Sequence, residues 1–165
     1  FDENTEFKSR SFSLRVEGAT RNDVRLFYYN GILKVQYPDH IPVSHPRIQE
    51  VIRSGIIEAL RREAKRYLSK RLEELAKYHG FNYRVVTIKN LKSRWGSCST
   101  VNNINLNLHL MRLPDRLIDY VLIHELCHTV EKNHGPGFWN LLDKCTGGMA
   151  RQLDAEMKKY RTQLF

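Results

Sequence analysis

The stretch His124-Glu125-Leu126-Cys127-His128 determines how the rest of the chain is interpreted. Residues four apart on an α-helix lie one above the other, about 6 Å apart along the axis, so both imidazoles can reach one metal ion. Zinc held in this way with an open coordination position lowers the pKa of its bound water to about 7, and a neighbouring carboxylate can accept the proton. The spacing therefore predicts a Zn²⁺ site with Glu125 as general base.

The helix that carries this motif is predicted to be buried. Pro114, with Asp115 in the first turn, opens it, and the apolar residues that follow cover nearly all of its sides. Two histidines and a glutamate in such a helix are costly to desolvate unless a metal ion or a hydrogen-bond network satisfies them. Core histidines that bind no metal are the alternative, which the shared face of the two imidazoles disfavours.

A catalytic zinc ion normally has a third protein ligand. Glu131 shares the helical face but lies about 10 Å along the axis from His124, too far for a compact site on an unbroken helix. Asn133 can adopt the left-handed conformation that ends a helix, and Gly135-Pro136 forbids its continuation, so the chain can fold back. We therefore expect His134 to be the third ligand.

The first third of the chain carries strand patterns. Residues 11–17 alternate polar and apolar side chains, and residues 24–29 and 32–37 flank Asn30-Gly31, the commonest signal for a tight type I′ hairpin. These patterns predict antiparallel strands, with residues 1–40 as an N-terminal β-hairpin region.

A helical apolar pattern then runs from Pro46 until Gly80 stops it. Because it exceeds the usual length of a globular helix, a helical pair is expected in the region 45–80. Residues 83–88 and 103–108 are typical of strands, and further helices follow the motif helix. The sequence therefore predicts an α+β protein with one domain over residues 1–165, whose metal-site core covers 83–165.

Composition narrows the function classes. No apolar run approaches the roughly 20 residues that a membrane span requires, so no membrane partner is expected. Three cysteines are too few for a disulfide framework and favour a reducing compartment, and the acidic amino terminus lacks the features of a secretory signal. We therefore expect a cytoplasmic protein. The net charge of +9 suggests nucleic acid as an additional partner, although acidic residues alternate with much of this charge on a helix.

Two segments together resemble the YgjP-like metallopeptidase family and its SprT-like relatives. They are the motif at 124–128 and the stretch Asn133-His134-Gly135-Pro136-Gly137-Phe138-Trp139, and the similarity continues upstream through the loop 93–99, so that it covers about residues 83–145. The resemblance implies a zincin-like fold with a small sheet beside the motif helix. It further implies a peptide or protein substrate, zinc ligands at His124, His128 and His134, and Glu125 as general base.

Substrate-binding residues are less well marked. Arg94 and Trp95 lie in an unusual loop and are interpreted either as cleft residues or as a structural plug, of which the plug is slightly favoured. The strand 103–108, which contains Asn105, is a candidate sheet edge to which an extended peptide could add. Arg94, His109 and Tyr120 are candidates for stabilising the transition state, and spacing does not select among them.

The sequence is compatible with three functions. The leading hypothesis is a zinc metallopeptidase of the HExxH type, in which Glu125 takes a proton from the attacking water and delivers it to the leaving amine. One alternative is a nucleic-acid-associated protein similar to the SprT-like relatives, which a salt-sensitive affinity for DNA would identify. The other is a non-catalytic zinc-binding module. The presence of Glu125 argues against it, because a purely structural zinc site does not need this carboxylate.

Overall fold

A three-stranded sheet lies at the amino-terminal end of the computed structural model, which describes residues 1–165. Its strands are β1 (Ser13–Ala19), β2 (Arg25–Tyr29) and β3 (Ile32–Pro38). Asn30 and Gly31 between β2 and β3 have φ values of 47° and 72°, as a type I′ turn requires, so the predicted hairpin is confirmed.

Strand β3 is the centre of this sheet. It pairs antiparallel with β2 and parallel with β1, so the prediction of purely antiparallel strands is wrong for one of the two pairings. The reason is that the hairpin reverses the chain between β2 and β3, and β1 then lies on the far side of β3. Leu33, Val35 and Tyr37 are buried along β3, which suits a central strand.

One helix, α1 (Pro46–His79), stands where two were predicted. It ends at Gly80, whose φ of 76° is the left-handed conformation that commonly terminates a helix. Proline does not recur after the first residue, and the single internal glycine, Gly55, is tolerated, so nothing in the sequence interrupts the backbone hydrogen bonds. By its contacts the chain divides within α1 into an N-terminal unit, Phe1–Glu63, and a C-terminal unit, Ala64–Phe165.

The C-terminal unit contains a second three-stranded sheet made of β4 (Val85–Lys89), β5 (Gly96–Cys98) and β6 (Asn103–Asn107). Strand β6 is central, parallel to β4 and antiparallel to β5. The expectation that residues 103–108 form a free sheet edge is therefore wrong, because both sides of β6 are already paired. The edge that adjoins the motif helix belongs to β5.

The polar residues of β6 do not mark an exposed edge, as Asn107 shows. Its side chain is completely buried, and its amide nitrogen donates hydrogen bonds to the backbone carbonyls of Leu91 and Arg94, at 2.9 Å each. Its side-chain oxygen accepts a hydrogen bond from the backbone N–H of His109. The asparagine thus fixes the loop that precedes β5 and does not face solvent.

A short 3₁₀ turn, Leu108–Arg112, leads into α2 (Asp115–Cys127), which is followed by α3 (Pro136–Cys145) and α4 (Ala150–Met157). Leu117, Ile118, Leu122 and Leu126 of α2 are inaccessible to solvent, which confirms that the motif helix is buried. The chain is thus an α+β protein, as predicted. None of its helices combines the length and the apolar character that crossing a membrane would take.

Candidate metal centre

The last turn of α2 presents the HExxH motif to the interior of the C-terminal unit. His124 and Glu125 lie within the helix, and His128 is the residue that caps it. The chain turns immediately afterwards, since the backbone N–H of Glu131 donates to the carbonyl of Cys127 at 2.9 Å. This turn carries the chain past the end of α2 and towards His134.

Three histidines converge beyond this turn. Ligand atoms of His124, His128 and His134 all lie within 4.8 Å of one another, and the Nε2 atoms of His128 and His134 are 3.1 Å apart. Asn133 was expected to reverse the chain in a left-handed conformation, and this detail is wrong because its φ is not positive. The chain nevertheless folds back as expected and brings His134 close to His124 and His128.

The donor set fits a zinc ion. Nδ1 of His128 lies 2.9 Å from the backbone carbonyl of Glu131, and because a carbonyl oxygen only accepts, this nitrogen carries the ring proton. Nε2 of His128 then carries a lone pair, which faces Nε2 of His134 at 3.1 Å. Burial lowers the pKa of His128, which further favours the neutral ring that a metal needs. Three histidines are a ligand set characteristic of catalytic zinc.

Glu125 is positioned beside the histidines. Its side chain is 7% exposed, and Oε2 lies 3.3 Å from Nδ1 of His124. Gly96 of β5 makes this close packing feasible, since a Cβ atom there would lie 3.0 Å from Cγ of Glu125 and 3.1 Å from the carbonyl oxygen of Asn105. Sequence reasoning missed Gly96, because its neighbour lies 29 residues away in the chain.

The ring of Phe138 in α3 packs against all three histidines. Its ring is completely buried and stacks on His128 with a centroid separation of 4.3 Å and an interplanar angle of 15°. The rings of His124 and His134 meet it edge-on at 4.9 and 5.0 Å. Phe138 entered the sequence analysis only as part of the stretch that resembles the family, and its packing against the histidines was not predicted, although it follows His134 by four residues.

A cavity of about 180 Å³ adjoins Glu125. Residues of the loop before β5, of β5 itself, of α2 and of α4 line it: Trp95, Gly96, Tyr120, Val121, His124, Glu125, Asp154 and Met157. Of the three predicted substrate-binding residues, only Trp95 lies here. Arg94 is exposed outside the cavity, and the side-chain amide of Asn105 donates to Oγ of Ser97 at 3.2 Å.

The three candidates for stabilising the transition state, Arg94, His109 and Tyr120, differ in whether they line this cavity. Tyr120 lines the cavity, and its hydroxyl donates to Oδ1 of Asp154 at 3.1 Å; burial, with Asp154 adding to it, raises the pKa of this phenol. His109 lies away from the cavity, between Asn90 and Arg112, where burial lowers its pKa to about 4. Tyr120 is therefore the candidate that the structure places beside Glu125.

Comparison with known proteins agrees with this geometry. The family model described as YgjP-like, metallopeptidase domain, matches residues 3–160. No protein with a curated description matches the chain significantly.

Two solved structures of metallopeptidase zymogens are similar to part of the chain. Abylysin of Pyrococcus abyssi is 29% identical, and the alignment covers 55% of this chain and 92% of abylysin with a TM-score of 0.48. Jannalysin of Methanocaldococcus jannaschii is 23% identical over 55% of this chain and 93% of jannalysin, also with a TM-score of 0.48. Because the family model spans nearly the whole sequence, the chain belongs to the YgjP-like metallopeptidase domain family.

Proposed function

We propose that this metallopeptidase is a zinc enzyme in which His124, His128 and His134 hold the ion and Glu125 is the general base. The observation that carries the proposal is the convergence of three imidazoles within 4.8 Å, with a buried carboxylate beside them. Zinc would supply a water of lowered pKa and would polarise the peptide carbonyl. The substrate class is a peptide or a protein.

Glu125 has the properties that a general base at this position needs. Its carboxylate is buried among the residues that line the cavity, so a substrate entering there excludes water from around it. It accepts a proton from the attacking water and delivers the same proton to the leaving amine. The carboxylate reaches the cavity from α2, a rigid and buried helix, which keeps its geometry constant between these two transfers.

The three histidines differ in how firmly the structure holds them. His128 is oriented by its hydrogen bond to the carbonyl of Glu131 and by its stacking on Phe138, so its ring has little freedom. His134 is the exposed member of the three and comes from the loop before α3. We infer that His124 and His128 form the preorganised part of the site and that His134 completes it.

Removal and return of zinc test this proposal. Protein depleted with a chelator is expected to lose hydrolysis of a fluorogenic peptide mixture, and one equivalent of Zn²⁺ is expected to restore it. Circular dichroism of the depleted protein serves as the control for folding. Hydrolysis that continued without metal, or reconstituted protein that cleaved none of the peptides, would overturn the proposal.

A further inference from the structure

We propose that the cavity beside Glu125 is a specificity pocket for a positively charged substrate residue, lysine or arginine, and that Asp154 recognises its charge. This inference rests on the proposed function, because it names the substrate class of the same site. The lining of the pocket includes Glu125 and His124 of α2 together with Asp154 of α4. A side chain that enters it therefore belongs to a residue near the scissile bond.

The size of the pocket suits one long side chain. Its volume is about 180 Å³, whereas a cavity of about 150 Å³ holds a benzene molecule. Trp95, Tyr120 and Met157 supply aromatic and aliphatic surface along it. The alkyl stem of lysine or arginine can lie against such surface while its charged end reaches a polar group, and an aromatic face attracts a cation in addition.

Asp154 offers a charge that its neighbours leave mostly uncompensated. The hydroxyl of Tyr120 donates one hydrogen bond to Oδ1, which orients the carboxylate without neutralising it. Lys158 lies 4.0 Å from Oδ2, but its side chain is 79% exposed, and ion pairs of this kind contribute little. The side chain of Asp154 is itself 36% exposed, so an incoming cation has access to it.

The other cations near α4, Arg151 and Arg116, contact residues that do not line the pocket. Arg151, which precedes Asp154 on the same helix, places its guanidinium 3.5 Å from the centroid of the Trp139 ring. Arg116 is paired with Glu156. Glu125, the second carboxylate in the lining, lies beside the histidines that would hold zinc, so a bound ion would offset its negative charge. The preference therefore rests on Asp154, which attracts a cationic side chain and repels an anionic one.

The test uses five-residue alanine peptides, acetylated and amidated, with lysine, glutamine or glutamate at the centre. Equilibrium binding to zinc-loaded protein and kcat/KM are both measured. Wild type is expected to prefer lysine over glutamate by roughly tenfold, about 1.4 kcal/mol, and glutamine to lie between them. Asp154→Lys is expected to invert the order and Asp154→Asn to flatten it. Lys158→Gln is the matched control on the same helix and is expected to keep the preference for lysine.

Binding and hydrolysis are measured separately so that failure of this inference can be distinguished from failure of the proposed function. Hydrolysis without a preference among the three peptides, or a preference that Asp154→Lys leaves unchanged, would overturn the specificity pocket while the peptidase stands. A preference for lysine in binding that Asp154→Lys inverts would support the pocket even if no peptide were cleaved, and only the proposed function would then fail. Equal binding of all three peptides without hydrolysis would overturn both.

Discussion

Glu125→Gln is expected to lower kcat for peptide hydrolysis by about 10²–10⁴-fold, the contribution typical of a positioned general base. Glutamine keeps the shape of the side chain but cannot accept the proton of the attacking water. The zinc content is expected to stay that of wild type, because Glu125 is not among the three converging ligands. Steady-state kinetics and metal analysis on the same preparation measure both quantities.

Glu131→Gln is the matched control for this substitution. Glu131 lies in the turn after α2, and its backbone carbonyl, which the substitution leaves in place, accepts the hydrogen bond from Nδ1 of His128. Its carboxylate lies against Gly137, outside the lining of the cavity. The variant is therefore expected to keep activity within a few-fold of wild type. Full activity in Glu125→Gln, with wild-type zinc content, would show that another group is the base.

Phe138→Ala is expected to lower the free energy of unfolding by about 3–5 kcal/mol, the usual cost of removing a completely buried phenylalanine. The substitution also removes the ring on which His128 stacks, so the free imidazole gains rotational freedom. Urea unfolding should be followed on the metal-free protein, since zinc binding to the native state would add its own stabilisation.

Phe138→Leu separates the two effects of this substitution. It keeps most of the buried volume and is expected to cost less than about 1.5 kcal/mol. It nevertheless removes the aromatic stacking on His128, so a lowered zinc affinity in this variant would report on the orientation of the ligand. A loss of stability below about 1 kcal/mol in Phe138→Ala would contradict the central place of this ring in the core.

The motif helix could be predicted because its information is local. Histidines four apart and an apolar pattern on nearly all sides of the helix are sufficient to place both imidazoles on one face of a buried α2. The approach of His134 followed from Gly135-Pro136, which prevents the helix from continuing. The conformation of the turn was not predictable in the same way, and Asn133 does not adopt the expected left-handed conformation.

What the sequence did not disclose depends on residues distant along the chain. Asp154 and Met157 reach the cavity from α4, about 30 residues after Glu125, and no spacing rule connects them. The order of strands is likewise a property of the whole sheet, so alternation along residues 103–108 could not distinguish a central strand from an edge. The same applies to β1, whose parallel pairing with β3 follows from the position of the hairpin.

The most direct measurement is the zinc content of untagged protein, purified without added metal, for wild type and His134→Ala. His40→Ala, which removes an exposed histidine of the N-terminal unit, is the matched control. The three-histidine site predicts about one zinc per chain in wild type and in the control, and a sharply reduced content in His134→Ala. Wild-type protein that held no zinc even after reconstitution, or a His134→Ala variant with the full zinc content of wild type, would contradict it.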